Sequence, residues 1–68
     1  MHLTINHQSK TFEIAPNSLA ELLAIELPQA RKGIAVALNN QVIPEGQWPH
    51  TPLSNHDSIL IITATQGG

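Results

Sequence analysis

The chain opens on an alternating pattern. Leu3 and Ile5 are apolar between His2, Thr4 and Asn6, the period-two signature of a strand with one buried face. Gln8, Ser9 and Lys10 interrupt it, and Phe12 and Ile14 resume it around Thr11 and Glu13. Two such runs separated by a few polar residues predict a hairpin turning in the polar stretch, of a type left open because no glycine is present. After Ala15-Pro16-Asn17 the period changes. Leu19, Leu22, Leu23 and Leu27 recur at helical spacing, and Ser18 with Glu21 three residues on forms an S-x-x-E capping box. They predict an amphipathic helix of about two to three turns. Pro28 stops it, having no amide hydrogen and clashing with the preceding turn. Residues 29–33 form the exit, with Arg31 and Lys32 as solvated charges.

Ile34, Val36 and Leu38 then alternate with Ala35 and Ala37, predicting a strand covered on one side and lightly exposed on the other. Asn39-Asn40 is a turn signal, since Asn tolerates left-handed conformations. Val42 and Ile43 predict a short strand closed by Pro44, and residues 45–57, with Trp48 and Leu53, read as a packed loop. Residues 58–64 are β-branched and apolar enough for a central strand. The order strand, strand, helix, strand, short strand, strand predicts an α+β fold, a mixed sheet wrapped over one helix. With the first and last strands parallel at its centre, this is the ubiquitin-like β-grasp architecture. Residues 1–64 are expected to form one β-grasp domain, and residues 65–68 a flexible tail.

Composition narrows the function classes. A chain of 68 residues buries only about 60% of its unfolded surface, so the domain is expected to be marginally stable. It has no cysteine, which removes disulfides, thiol catalysis and Cys-based zinc sites. Lys10, Arg31 and Lys32 are its basic residues and the net charge is −2, too few cations for a groove that neutralises many phosphates. The longest apolar run, residues 34–38, falls far short of a membrane span, and the start lacks a basic segment followed by an apolar one. A soluble cytoplasmic domain without nucleic-acid or membrane partners is therefore expected.

Candidate chemistry is sparse until the end of the chain. Ser9, Ser18, Ser54 and Ser58 read as turn, cap or strand-edge residues. His50, His56 and Asp57 formally offer a hydrolytic set, but so short a chain rarely encloses a substrate cleft. His2 and His7 fall on opposite faces of the predicted first strand, and neither H-x-x-x-H nor H-x-E occurs, so no metal site is expected. Gly33 and Gly46 stand alone, which is no phosphate loop. Trp48 is expected to close the bottom of the core rather than anchor a partner. The last strand, however, runs into Thr65-Gln66-Gly67-Gly68. Two residues without side chains can thread a narrow channel, and the reactive group would be the Gly68 carboxylate. That carboxylate is a poor electrophile, since its negative charge repels nucleophiles and oxide is a poor leaving group, until adenylation converts it to a mixed anhydride, open to a sulfur or nitrogen nucleophile.

Val36-Ala37-Leu38-Asn39, Val42-Ile43-Pro44, Trp48, Thr51-Pro52-Leu53, Asp57 and Ala64-Thr65-Gln66-Gly67-Gly68 together resemble the ThiS family of thiamin-biosynthesis sulfur carriers. Asn17-Ser18-Leu19 followed by Leu22-Leu23 is also similar to that family. The resemblance implies that a ubiquitin-activating-like adenylyltransferase consumes ATP to adenylate Gly68. A cysteine desulfurase or another sulfurtransferase would supply sulfur, giving a thiocarboxylate, and thiazole synthase would accept it. Gln66, Gly67 and Gly68 form the implied tail motif. The chain is then a protein substrate, not an enzyme, with no bound cofactor. Two positions depart from the family pattern: His56 precedes Asp57 where glycine is frequent, and Glu45 follows Pro44 where a basic residue is frequent. Neither touches the tail.

Three rivals share parts of this picture. A sulfur-carrying small subunit of molybdopterin synthase also ends in Gly-Gly but is usually longer. A ubiquitin-like modifier would end in an isopeptide bond to lysine. A β-grasp interaction module with an incidental tail predicts partner binding that survives loss of Gly68. An activating enzyme must also hold the domain outside the tail, and the sheet face opposite the helix is the expected surface, with Leu60, Ile62 and Thr65 as candidates. Leu60 and Ile62 share one face of the last strand, Ile59 and Ile61 the other. Alternation alone leaves open which pair is core.

Overall fold

The computed structural model describes residues 1–27 and 33–63. β1 (His2–Ile5) and β2 (Gln8–Thr11) pair antiparallel from His2↔Thr11 to Ile5↔Gln8. The hairpin therefore turns at Asn6-His7, both with positive φ, 51° and 69°. Two left-handed residues between strands make a type I′ turn, whose twist matches that of the strands it joins. The sequence placed the turn at Gln8–Lys10 and the second strand around Phe12 and Ile14; the structure moves both toward the N-terminus. The reason is that β2 is an edge strand, where exposed polar residues such as Gln8, Ser9 and Thr11 are tolerated and mark no break. Phe12 packs half-buried against the core beyond β2, and Ile14 is exposed.

α1 (Leu19–Glu26) begins as the capping residues predict. The Ser18 hydroxyl accepts from the Glu21 amide at 3.2 Å, and the Glu21 carboxylate accepts in return from the Asn17 amide at 2.7 Å. Leu19, Leu22 and Leu23 are buried, and the helix closes with Leu27 as its C-cap. Pro28 and most of the predicted exit, residues 28–32, lie outside the described residues.

β3 (Ile34–Leu38) and β4 (Gln41–Val42) form a second hairpin through Asn39-Asn40, again with positive φ at both turn residues, 50° and 72°. Ile43 falls just outside β4 but still donates its amide to Val36 O at 2.9 Å. The expected loop that follows is partly helical: a 3-10 helix spans Glu45–His50. Half-buried Trp48 anchors it by donating Nε1–H to Ile43 O at 2.8 Å, while Leu19 N donates to Thr51 O and ties the segment to the start of α1.

β5 (Ser58–Thr63) pairs parallel with β1 at Thr4↔Ser58 and Ile5↔Ile59, and antiparallel with β3 from Ile34↔Thr63 to Leu38↔Ile59. The strand order is β2-β1-β5-β3-β4, with the first and last strands side by side as expected. This is the α+β, ubiquitin-like β-grasp. Leu3, Ile5, Val36, Ile59 and Ile61 of the sheet meet Leu19, Leu22 and Leu23 of α1 in one buried cluster, and Leu53, Trp48 and Ile43 pack around it.

Candidate functional site

The two faces of β5 separate sharply. Ile59 and Ile61 are 1% and 9% exposed against α1, whereas Leu60 and Ile62 are 38% and 51% exposed on the outer face. The ladders show what surrounds them. Leu60 is opposite Ala37, Ile62 is opposite Ala35, and Val42 of β4, 68% exposed, is opposite Ala37 on its other side. Directly paired residues project to the same face. Val42, Ala37, Leu60, Ala35 and Ile62 thus form an apolar surface turned away from the helix. From Ser58 at the start of β5 across β1 and β2 the same face becomes polar, with Thr4, Ser9, His2 and Thr11 at paired positions. No carboxylate, ammonium or guanidinium occupies any of these positions. A partner covering this surface would gain by removing apolar area from water, not by matching charge.

Hydrogen bonds fix the start of β5. The Asp57 carboxylate accepts from Asn39 Nδ2 at 3.0 Å and from Ser54 N at 2.8 Å. Ser58 N donates to Asn39 Oδ1 at 2.9 Å, and Asn39 N returns a bond to Ser58 O at 2.8 Å. Asn39 thereby serves twice, as a left-handed turn residue and as a clasp on the central strand. The preceding turn forms with a side chain in place: His56 adopts φ 72°, and its ring stacks on that of His2 at 5.7 Å and 11°.

The other histidines disperse. His7 lies in the β1–β2 turn rather than on a strand, and His50 ends the 3-10 helix. The partners of Asp57 are an amide side chain and a backbone N–H, so the formal Ser, His and Asp set is not assembled. Among the described residues no three His, Asp or Glu side chains are grouped to hold a metal ion. Nor is any described helix long and apolar enough to cross a membrane.

Of the residues singled out in the sequence, Leu60 and Ile62 lie together on the exposed face. Thr65, Gln66, Gly67 and Gly68 lie outside the described residues. The sequence reading missed Val42 as a neighbour of this surface. Its place across Ala37 follows from the Asn39-Asn40 turn, whose two-residue length sets the register.

Comparison with known proteins agrees with this architecture. The family model described as "ThiS family" matches residues 3–68. The sulfur carrier protein ThiS of Escherichia coli (strain K12) is 29% identical over 68 residues, covering 100% of both chains. The crystal structure of the thiamine biosynthesis protein ThiS from Geobacter metallireducens superposes with a TM-score of 0.83 at 28% identity, again covering 100% of each chain.

Proposed function

Since this chain belongs to the ThiS family, we propose that it is a sulfur carrier in thiamine biosynthesis, and that its Gly68 carboxyl group bears the sulfur. The observation that carries this reading is the family match, which runs through the Gly67-Gly68 pair to residue 68. The names of the Escherichia coli and Geobacter metallireducens relatives support the pathway and the carrier role.

The chemistry asks little of this domain beyond presentation. In an adenylyltransferase, an oxygen of the Gly68 carboxylate attacks the α-phosphorus of ATP and pyrophosphate leaves. The resulting acyl adenylate has a good leaving group. The persulfide of a donor, such as a cysteine desulfurase system, attacks the acyl carbon and displaces AMP. A thiol then cleaves the resulting acyl disulfide, releasing the thiocarboxylate and becoming a disulfide with the donor sulfur. The product thiocarboxylate passes its sulfur to thiazole synthase. ATP is consumed by the partner, and this chain performs no turnover of its own.

What the chain contributes is a tail without side chains at its last two positions and a surface by which the domain is held. The apolar face of Val42, Ala37, Leu60, Ala35 and Ile62 suits that second task, since two of its residues, Leu60 and Ile62, belong to β5, the strand that precedes the tail in sequence. Pyrophosphate release from ATP by the cognate adenylyltransferase tests the reading. It should require the full chain and disappear when Gly68 is deleted. Release that persists after the deletion would contradict Gly68 as the acceptor.

A further inference from the structure

Beyond Ile5 the chain leaves β1, yet the parallel ladder with β5 gains one more rung. Thr4 N donates to Asp57 O at 3.0 Å and Asn6 N donates to Ile59 O at 2.9 Å, the regular spacing of a parallel pair. The next partner of such a ladder would be Ile61 N, bonded to the backbone carbonyl of residue 6. Asn6 instead turns into the left-handed region, φ 51°. Its side-chain Oδ1 accepts from Ile61 N at 2.7 Å, in the place its own carbonyl would have held. The bond is partly buried and joins residues 55 positions apart.

This rung is the last that the β1 side gives to β5 among the described residues. Past it, Ile62 and Thr63 are paired with Ala35 and Ile34 of β3 on the other side. The direction in which β5 leaves the sheet is thus held by a ladder on one flank and by a single carboxamide on the other. Without the acceptor, the Ile61 amide would lose its partner on a buried residue and the strand end would be free to pivot about β3.

We propose that Asn6 is a positioning residue for adenylation: its side chain aims the end of β5, and with it the tail, relative to the outer face by which the domain docks. The inference rests on the carrier reading above. Misaiming the tail reduces the fraction of docked complexes in which the carboxylate reaches ATP, while leaving docking itself intact. The rate at saturation should fall and the apparent affinity should not.

Two variants separate this role from a general structural one. Asn6→Gly accepts the left-handed turn but has no acceptor; Asn6→Asp keeps both the turn tolerance and an acceptor oxygen. Exchange of the Ile61 amide in Asn6→Gly should accelerate roughly 3- to 10-fold, the factor that one net hydrogen bond represents. In pyrophosphate-release assays with the ATP-dependent adenylating enzyme, kcat should fall by a similar factor at unchanged KM for the chain, and Asn6→Asp should restore it. An unchanged kcat in Asn6→Gly, with Ile61 exchanging faster and the unsubstituted chain active, would overturn the role alone. So would a rise in KM without a fall in kcat. An unsubstituted chain that supports no release would overturn the carrier reading and this role together.

Discussion

Leu60 lies directly opposite Ala37 in the β3–β5 ladder, on the sheet face turned away from α1. Val42 flanks the same alanine from β4. Two larger apolar side chains are thus separated by a methyl group on an exposed surface, while Ile59 and Ile61, the neighbours of Leu60 along the chain, fill the core. One strand serves both the hydrophobic core and the outward face, and it leads into the tail.

Replacing Leu60 and Ile62 together by glutamate should therefore separate folding from recognition. Exposed strand positions differ by about 1 kcal/mol across the range of side chains, so the thermal transition should persist with a modest loss. Adenylation should fall by about two orders of magnitude or more, as expected when central apolar anchors of an interface become charged. Normal adenylation of the double variant would rule out this docking face.

Leu22 is fully buried beneath the sheet and Ile25 is exposed on the same helix. Leu22→Ala should cost about 2–5 kcal/mol through lost transfer energy and a residual cavity. In a domain whose whole stability is on the order of 5 kcal/mol, that is enough to unfold much of the population at 37 °C. Ile25→Ala should change stability by less than about 0.5 kcal/mol. Chemical denaturation followed by Trp48 fluorescence measures both.

His56 holds a left-handed conformation, φ 72°, with its ring on that of His2. A side chain in that region costs about 1–2 kcal/mol relative to glycine, which the exposed stack offsets only in part. His56→Gly should raise the denaturation midpoint, and the β-branched His56→Val should lower it. The opposite order would show that the stack outweighs the backbone strain.

The helix start makes a smaller and more local prediction. Ser18 Oγ accepts from Glu21 N, and Ser18→Ala should cost about 1 kcal/mol. Ser18→Asp, which also places an oxygen over the first turn, should recover most of that loss.

Local signals were the ones the sequence displayed openly. Ser18 and Glu21 meet three residues apart, so their capping was visible without tertiary information, as was the Asn39-Asn40 turn. The element order also predicted the pairing of β1 with β5. What escaped was decided by register or by position in the sheet. Ile59, Leu60, Ile61 and Ile62 are apolar on both faces, so alternation could not tell core from surface; pairing with β1 and β3 does. The first turn was misplaced because Gln8, Ser9 and Lys10 look like a break, yet an edge strand needs little apolar surface. The role of Asn6 was hidden for a related reason. Its partner, Ile61, is far along the chain, and no local pattern announces a side chain that completes a ladder.

The proposed carrier role stands or falls on whether Gly68 bears the sulfur. The most direct test is the intact mass of the chain after co-expression with its adenylyltransferase and a sulfur donor, beside a parallel sample lacking Gly68. The full chain should gain a mass equal to exchange of one oxygen for one sulfur, and the chain lacking Gly68 should not. An unshifted mass in the full chain, with an adenylyltransferase and sulfur donor proven active on another carrier, would contradict that role.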